Sequence, residues 1–321
     1  MNKNPTLSVA MPNYNYGQYI GEALEAILNQ SYPPDELIIV DDCSTDGSVA
    51  VIESCIKDHP NARMLKNEKN MGVIYTMNRA LLEAKGDYIH TTASDDIVLA
   101  GFYEKSMKLL MEYPQAGLCC ADNVLFDPCG CIEDRPGYSN KPAYFSPEEV
   151  VKLSLRRIFT ASTANTVIIK RSSVIEAGGY IPSLKHLSDS FVNSVVSFRH
   201  GICYIPEILA KMRIHPGQFG GTQASKLRLE REVIKNTLNI VMSPKYQDVL
   251  PMFRRAAPFS SYPFEVLKVV AGDKKYRDFI SFKLLRFALF DIFKRGLKML
   301  LPKRAYYLFA GGCKRIRRIF K

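Results

Sequence analysis

Short apolar runs and amphipathic stretches alternate through the first 120 residues, and few folds accept that order. Leu7-Ser8-Val9-Ala10-Met11, closed by Pro12, reads as a buried strand. Residues 20–30 carry apolar side chains at 20, 23, 24, 27 and 28, a helical spacing that Pro33-Pro34 breaks. Residues 36–40 form the next strand and run into Asp41-Asp42. Ser44-Thr45-Asp46-Gly47 is a turn able to cap a helix over 48–59. Arg63-Met64-Leu65 is a third strand, 72–85 a helix stopped at Gly86, and 87–92 a fourth strand leading into Ser94-Asp95-Asp96. A βαβαβαβ order predicts an α/β fold: a doubly wound, mostly parallel sheet flanked by helices.

In such sheets ligands sit beyond the carboxyl ends of the strands. Two acidic pairs, Asp41-Asp42 and Asp95-Asp96, fall at two of those ends. Paired acids at a strand end suit a divalent cation, held by one or two carboxylates and by substrate phosphates. An acid on the neighbouring strand suits the base or ribose of a nucleotide. The chain has no GxxxxGK[ST] and no GxGxxG after the first strand, which argues against a P-loop kinase and a nicotinamide dehydrogenase. Phosphate charge must then be neutralised by metal and basic side chains.

Beyond this half, 98–116 reads as helix, 117–121 as strand, and the Pro-, Gly- and Cys-rich stretch 127–146 as a loop. Ser146-Pro147-Glu148-Glu149 starts another helix, with acids against its dipole. A strand at 166–170, a short helix at 171–177, a helix at 189–200 and two short strands at 203–205 and 209–212 follow. Past about residue 223 the alternation stops and long helical stretches take over. The expected division is 1–222, with halves of about 1–120 and 121–222, and a helical extension over 223–321.

The series of motifs resembles family 2 glycosyltransferases. The similarity is carried by Ser8-Val9-Ala10-Met11-Pro12-Asn13-Tyr14-Asn15, Ala26-Ile27-Leu28-Asn29-Gln30-Ser31-Tyr32 and Ile38-Ile39-Val40-Asp41-Asp42-Cys43-Ser44-Thr45-Asp46-Gly47. Asn70-Met71-Gly72, Asn78, Ala84-Lys85-Gly86-Asp87-Tyr88, Ser94-Asp95-Asp96, Gly178-Gly179-Tyr180, Leu187-Ser188-Asp189 and Met212-Arg213-Ile214-His215 continue it in order, over about residues 6–218. The resemblance implies a GT-A fold, a nucleotide-diphosphate sugar donor, a divalent metal (Mn2+ or Mg2+) and inversion at the anomeric carbon. By position it makes Pro12, Asn13, Tyr14, Asp41, Asp42 and Asp95 nucleotide-binding residues. Asp96 with Asp95 and His215 becomes the metal site, Arg213 and His215 hold the diphosphate, and Asp189 is the base that deprotonates the acceptor hydroxyl. Three positions depart from the family's habit: Ala93 where an Asp is usual, Ser188 where Glu is common before the base, and Cys43 where Gly often follows the acidic pair.

Two other classes compete. Nucleotidyl transfer onto a sugar phosphate calls for a Gly-rich basic loop after the first strand, and 11–17 holds no Lys or Arg. A nucleotide-sugar-binding scaffold with a weakened site draws support only from Ala93.

Charge separates the chain more sharply than composition does. Residues 251–321 hold 18 Lys/Arg and 4 Asp/Glu, a net of +14, whereas 1–250 hold 25 and 28, a net of −3. Over 280–301 the basic residues Lys283, Arg286, Lys294, Arg295 and Lys298 share one half of a helical wheel with Asp291. Leu285, Leu289, Ile292, Phe293 and Leu300 hold the other half, and a second basic cluster closes the chain at 314–321. Basic amphipathic helices with Phe and Leu bind anionic lipid at the membrane interface. An anionic membrane surface is therefore the expected partner of this region, ahead of packing on the body or a homo-oligomer contact. No nucleic-acid-binding fold is evident. No leader-like apolar run opens the chain, no 18-residue apolar span is present, and the eight cysteines lack zinc spacing. The expected place is the cytoplasm, on the inner face of the cell membrane, with a glycan or lipid-linked acceptor.

Overall fold

The structure, a computed structural model, describes residues 4–127, 130–156, 164–215, 227–256 and 263–300. The chain divides into two compact units, 1–252 and 253–321.

In the first unit, β1 (Leu7–Asn13), β2 (Glu36–Asp41), β3 (Ala62–Lys66) and β4 (Tyr88–Thr91) alternate with α1 (Gly17–Leu28), α2 (Ser48–Ile56) and α3 (Val73–Glu83), in the order the sequence predicts. They pair in parallel as β3-β2-β1-β4. A short β5 (Ile97–Val98), α4 (Phe102–Glu112), β6 (Leu118–Asp127), β7 (Gly130–Asp134), β8 (Ala143–Phe145) and α5 (Pro147–Arg156) follow. Then come β9 (Val167–Lys170), α6 (Arg171–Glu176), α7 (Ser188–His200), β10 (Ile202–Arg213) and α8 (Leu227–Val241). β9 enters antiparallel between β4 and β6, β10 lies parallel to β6, and β5 closes the sheet.

The period-2 pattern of the strands decides which face each residue covers. Leu7, Val9 and Met11 of β1, Leu37 and Ile39 of β2, Cys119 and Ala121 of β6, and Cys203 and Ile205 of β10 share one core. It is sealed by Ile20, Leu24 and Ile27 of α1 and by Phe102, Tyr103, Met107 and Leu110 of α4. Each Val, Leu, Ile, Phe or Met side chain among them contributes about 1.5–3 kcal/mol on burial. On the opposite face α3 packs on β1 and β2, α6 on β9 and α7 on β6.

Three expectations are corrected. The stretch 127–146 is not all loop, because β7 pairs with β6 and β8 with β10. Strands of five and three residues are too short to leave a period in a Pro- and Gly-rich segment. The strands expected at 203–205 and 209–212 are one strand, bulged between Ile205 and Ala210. Pro206 has no N–H to donate, so the ladder skips there and resumes. The helix expected over 98–116 starts only at Phe102, behind Gly101 in the left-handed region (φ 81°).

A helix α9 (Leu250–Ala256) runs from the first unit into the second, where α10 (Pro263–Gly272), a 3₁₀ segment (Lys274–Phe279) and α11 (Phe282–Leu300) follow. Lys283, expected on the polar face of α11, is instead buried (4% exposed). Its ammonium donates to the carbonyl of Ala256 at the carboxyl end of α9, where helix carbonyls lack partners. The closing basic cluster at 314–321 lies outside the described residues, as do the side chains of Lys294, Arg295, Lys298 and Leu300.

Candidate active site

The strand order turns around between β1 and β4, and the expected site residues gather at that carboxyl rim. Asn13, the last residue of β1, donates through Nδ2 to Asp41 Oδ2 (2.8 Å) and Ser44 Oγ (3.2 Å). Asp41 also accepts from Ser44 N (2.9 Å) and Ser44 Oγ (2.6 Å). Asp42 accepts from Asn67 Nδ2 (2.6 Å) and from the backbone N–H groups of Met71 and Gly72 (2.8 Å each). Both carboxylates are buried and brace the surrounding loops. The Asn70-Met71-Gly72 motif thus follows from Asp42: Gly72 turns at φ 86° and presents its N–H to the acid. Among the described residues Asn13 Oδ1 is buried with no hydrogen-bond partner, an acceptor held in reserve at the strand end. Tyr14, next in the chain, is exposed.

The second cluster joins residues more than a hundred positions apart. Past β4, Thr92 N donates to Ala10 O (3.0 Å) and Ser94 Oγ to Pro12 O (3.1 Å), which ties the Ser94-Asp95-Asp96 turn to β1. The end of β10 closes on it. Arg213 N donates to Asp96 Oδ1 (3.0 Å), Arg213 Nε donates to Asp95 O (3.1 Å), and His215 Nε2 lies 2.9 Å from Asp95 Oδ2. The guanidinium of Arg213 is sandwiched by the rings of Tyr19 (4.7 Å) and Phe126 (4.5 Å) and reaches Glu22 (2.7 Å). The His215 ring packs against Tyr16 (5.5 Å) and Tyr19 (5.4 Å). Tyr16, Tyr19 and Glu22 were not expected here. Their three-residue spacing, from the residue that precedes α1 onto one face of that helix, was the available signal.

Asp95 and Asp96 are enclosed more deeply than a strand-end rim suggests: both are buried. Burial, and then the charge of Asp95, push the Asp96 carboxyl well above its ordinary range. Burial and the same two acids push the Tyr16 hydroxyl up to about 12. Two adjacent buried carboxylates attract positive charge. Among the described residues no three His, Cys, Asp or Glu side chains form a ready-made metal cage. A carboxylate pair of this kind suits an ion held by one or two carboxylates and completed by substrate oxygens.

Asp189 makes none of these contacts. It sits in the first turn of α7, partly buried, with Ser190 N donating to its Oδ1 (2.6 Å). Burial raises its carboxyl to about 6. Its link to the rim runs through Tyr180, which feels its charge and whose hydroxyl donates to Thr91 Oγ1 at the end of β4 (3.0 Å). Asn78 of α3 clasps Tyr180 from both sides, Nδ2 to the carbonyl (2.6 Å) and Oδ1 to the N–H (2.9 Å). Gly179 (φ 66°) passes so close that a Cβ would lie 2.9 Å from Asn78 Oδ1. This explains Gly-Gly-Tyr: the chain must hug α3 before it can deliver α7.

A doubly wound sheet with an acidic turn at its switch point, closed by an Arg and a His from a distant strand, defines a GT-A type of architecture. Residues 8–127 match the family model "Glycosyl transferase family 2". A Bacillus subtilis protein named for teichuronic acid biosynthesis, the glycosyltransferase TuaG, is 37% identical over 111 residues, 35% of this chain and 44% of the relative. An uncharacterized glycosyltransferase of Haemophilus influenzae is 27% identical over 222 residues, 68% of each chain. The chain spans less than half the length of the first curated relatives it matches. Among solved structures, S. aureus TarS 1-349 in complex with UDP-GlcNAc superposes with a TM-score of 0.65 at 17% identity, covering 88% of this chain and 83% of that one. The mannosyltransferase PcManGT from Pyrobaculum calidifontis, in complex with GDP-Man and Mn2+, superposes with a TM-score of 0.62 at 17% identity, covering 96% and 83%.

Proposed function

We propose that the protein is an inverting glycosyltransferase. It moves a sugar from a nucleotide-diphosphate sugar to a hydroxyl of a glycan or lipid-linked acceptor, in cell-surface polysaccharide synthesis. The observation that carries this reading is the closure of Arg213 and His215 onto Asp96 and Asp95 (3.0 and 2.9 Å) at the switch point of the sheet. The teichuronic acid name of one relative and the donors bound by the structural neighbours support the substrate classes.

In this reading residues 1–120 supply the donor half, 121–222 the acceptor half, and 223–321 the extension. Pro12, Asn13 and Tyr14 line the nucleotide, and Asn13 Oδ1 is free to accept from a base N–H. Asp41 and Asp42 act by holding the surrounding loops. Asp95 and Asp96, with His215 beside them, would hold Mn2+ or Mg2+, which would supply charge stabilisation on the departing diphosphate. Arg213 adds a fixed positive group, already oriented by Glu22, Tyr19 and Phe126. Asp189 takes the proton from the acceptor hydroxyl as its oxygen bonds to the anomeric carbon. The bond from that carbon to the diphosphate oxygen breaks on the opposite face, and no covalent nucleophile is needed. The protein works at the inner face of the cell membrane, held there by its basic C-terminal region.

The test is release of nucleoside diphosphate from a panel of UDP-, GDP- and dTDP-sugars, with a lipid extract as acceptor source. Turnover with at least one donor, lost in Asp96→Asn, is the expected result. A full panel without turnover, or an Asp96→Asn variant as fast as the parent, overturns the reading.

A further inference from the structure

α11 faces solvent with its apolar side. At 100° per residue, Ile292, Leu285, Leu289, Phe282, Phe293, Arg286 and Phe290 fall within an arc of about 160°. Every one of these side chains is exposed, Phe282 at 82%, Leu289 at 65% and Phe293 at 57%. The helix packs on its own unit through the other side, by Leu284, Ala288 and the inward-turned Lys283. A soluble helix normally has the reverse orientation, and contiguous apolar patches on a protein surface mark interaction sites.

We propose that this arc is the surface by which the protein docks on a membrane, with α11 lying in the plane of an anionic bilayer. The inference rests on the reading of the C-terminal region as membrane-bound and specifies the element that enters the lipid. Charge identifies the occupant: the face belongs to a region with a net charge of +14, while the rest of the chain carries −3. Such a surface is attracted to anionic headgroups and repelled by a second copy of itself. Among the described residues no helix is long and apolar enough to cross a membrane, so the helix lies in the interface. Arg286, alone among apolar neighbours on the exposed arc, has a long stem that lets its guanidinium reach phosphate while the stem stays with the acyl chains. The Lys283 ammonium, turned inward to Ala256, takes no part.

The chain contains no tryptophan, which gives a direct probe. In full-length Leu289→Trp the single indole should shift to the blue when vesicles of mixed phosphatidylglycerol and phosphatidylcholine are added, and should be quenched by lipids brominated along the acyl chain. In a sedimentation assay, Leu289→Glu and Phe282→Ser should each weaken vesicle binding on the order of tenfold. Leu82→Glu, at a comparably exposed leucine of α3, should leave it unchanged. Circular dichroism of these surface variants should match the parent. If Leu289→Glu and Phe282→Ser bind as the parent does while high salt abolishes binding, the arc is not the docking face although the membrane reading stands. If the parent itself ignores anionic vesicles at low salt, both fail. A parent that is dimeric and a Leu289→Glu variant that is monomeric would make the arc a contact between copies and overturn the proposal.

Discussion

Asp189 is the residue on which the proposed chemistry turns. Its carboxyl is raised to about 6 by burial, which disfavours the charged form. A base works only when deprotonated. Transfer should therefore be full above about pH 6 and fall about tenfold per unit below it, in kcat/KM of the free enzyme. Asp189→Asn should cost roughly 10²–10⁴-fold in transfer and leave nucleotide affinity nearly unchanged. A variant with the parent's rate would reduce Asp189 to a residue of the first helical turn. Cys43 offers a structural test at the same scale. It stands in the left-handed region (φ 65°), where the family often has glycine. Cys43→Gly should leave stability within about 1 kcal/mol of the parent, because relief of strain and added chain entropy offset each other. Cys43→Val should lose about 1–2 kcal/mol, because a β-branched side chain resists that conformation. Urea denaturation reads both.

Between elements, two joints are worth breaking. Asn78 holds the segment before α7 to α3 by two hydrogen bonds, and its removal strands the backbone of Tyr180. Asn78→Ala should cost about 1–3 kcal/mol in stability. Its effect on turnover should appear in kcat more than in donor KM, because it displaces Asp189 and not the Asp95–Asp96 turn. In the second unit, Lys283 is pushed down to about 7 by burial, with Arg286 adding to the shift. Below pH 7 both folded and unfolded chains carry this proton, and the penalty of burying the charge is present in full. From about pH 7 to 10 the folded unit gives the proton up while the unfolded chain keeps it. Stability there should rise by up to about 1.4 kcal/mol per pH unit. Lys283→Met should flatten that rise, as read by amide hydrogen exchange in α11; an unchanged slope would remove Lys283 as its cause. The strand–helix alternation through β4 was legible because each element there has its own period and stop signal. β7 and β8 were not, because they are short and owe their existence to partners far along the chain. The acidic pairs were legible as strand-end residues. The use of Asp41 and Asp42 on loops, and the aromatic cradle of Tyr16, Tyr19 and Phe126, depend on what packs alongside, which no local pattern records.

At the scale of the molecule, the first unit carries every residue assigned to chemistry and the second carries the excess positive charge. Donor recognition and surface attachment should therefore separate by mutation: changes at Asp95, Asp96 or Arg213 should leave vesicle binding intact. The central claim is that the turn at Asp95 and Asp96, closed by Arg213 and His215, receives the diphosphate of a nucleotide. Calorimetric titration of UDP, GDP and dTDP into the full-length protein, with and without Mn2+, tests it most directly. Saturable binding of at least one of them, tightened by the metal and weakened at least about tenfold in Asp96→Asn, is the predicted result. No binding of any of the three, or a metal-dependent affinity that Asp96→Asn leaves unchanged, would contradict it.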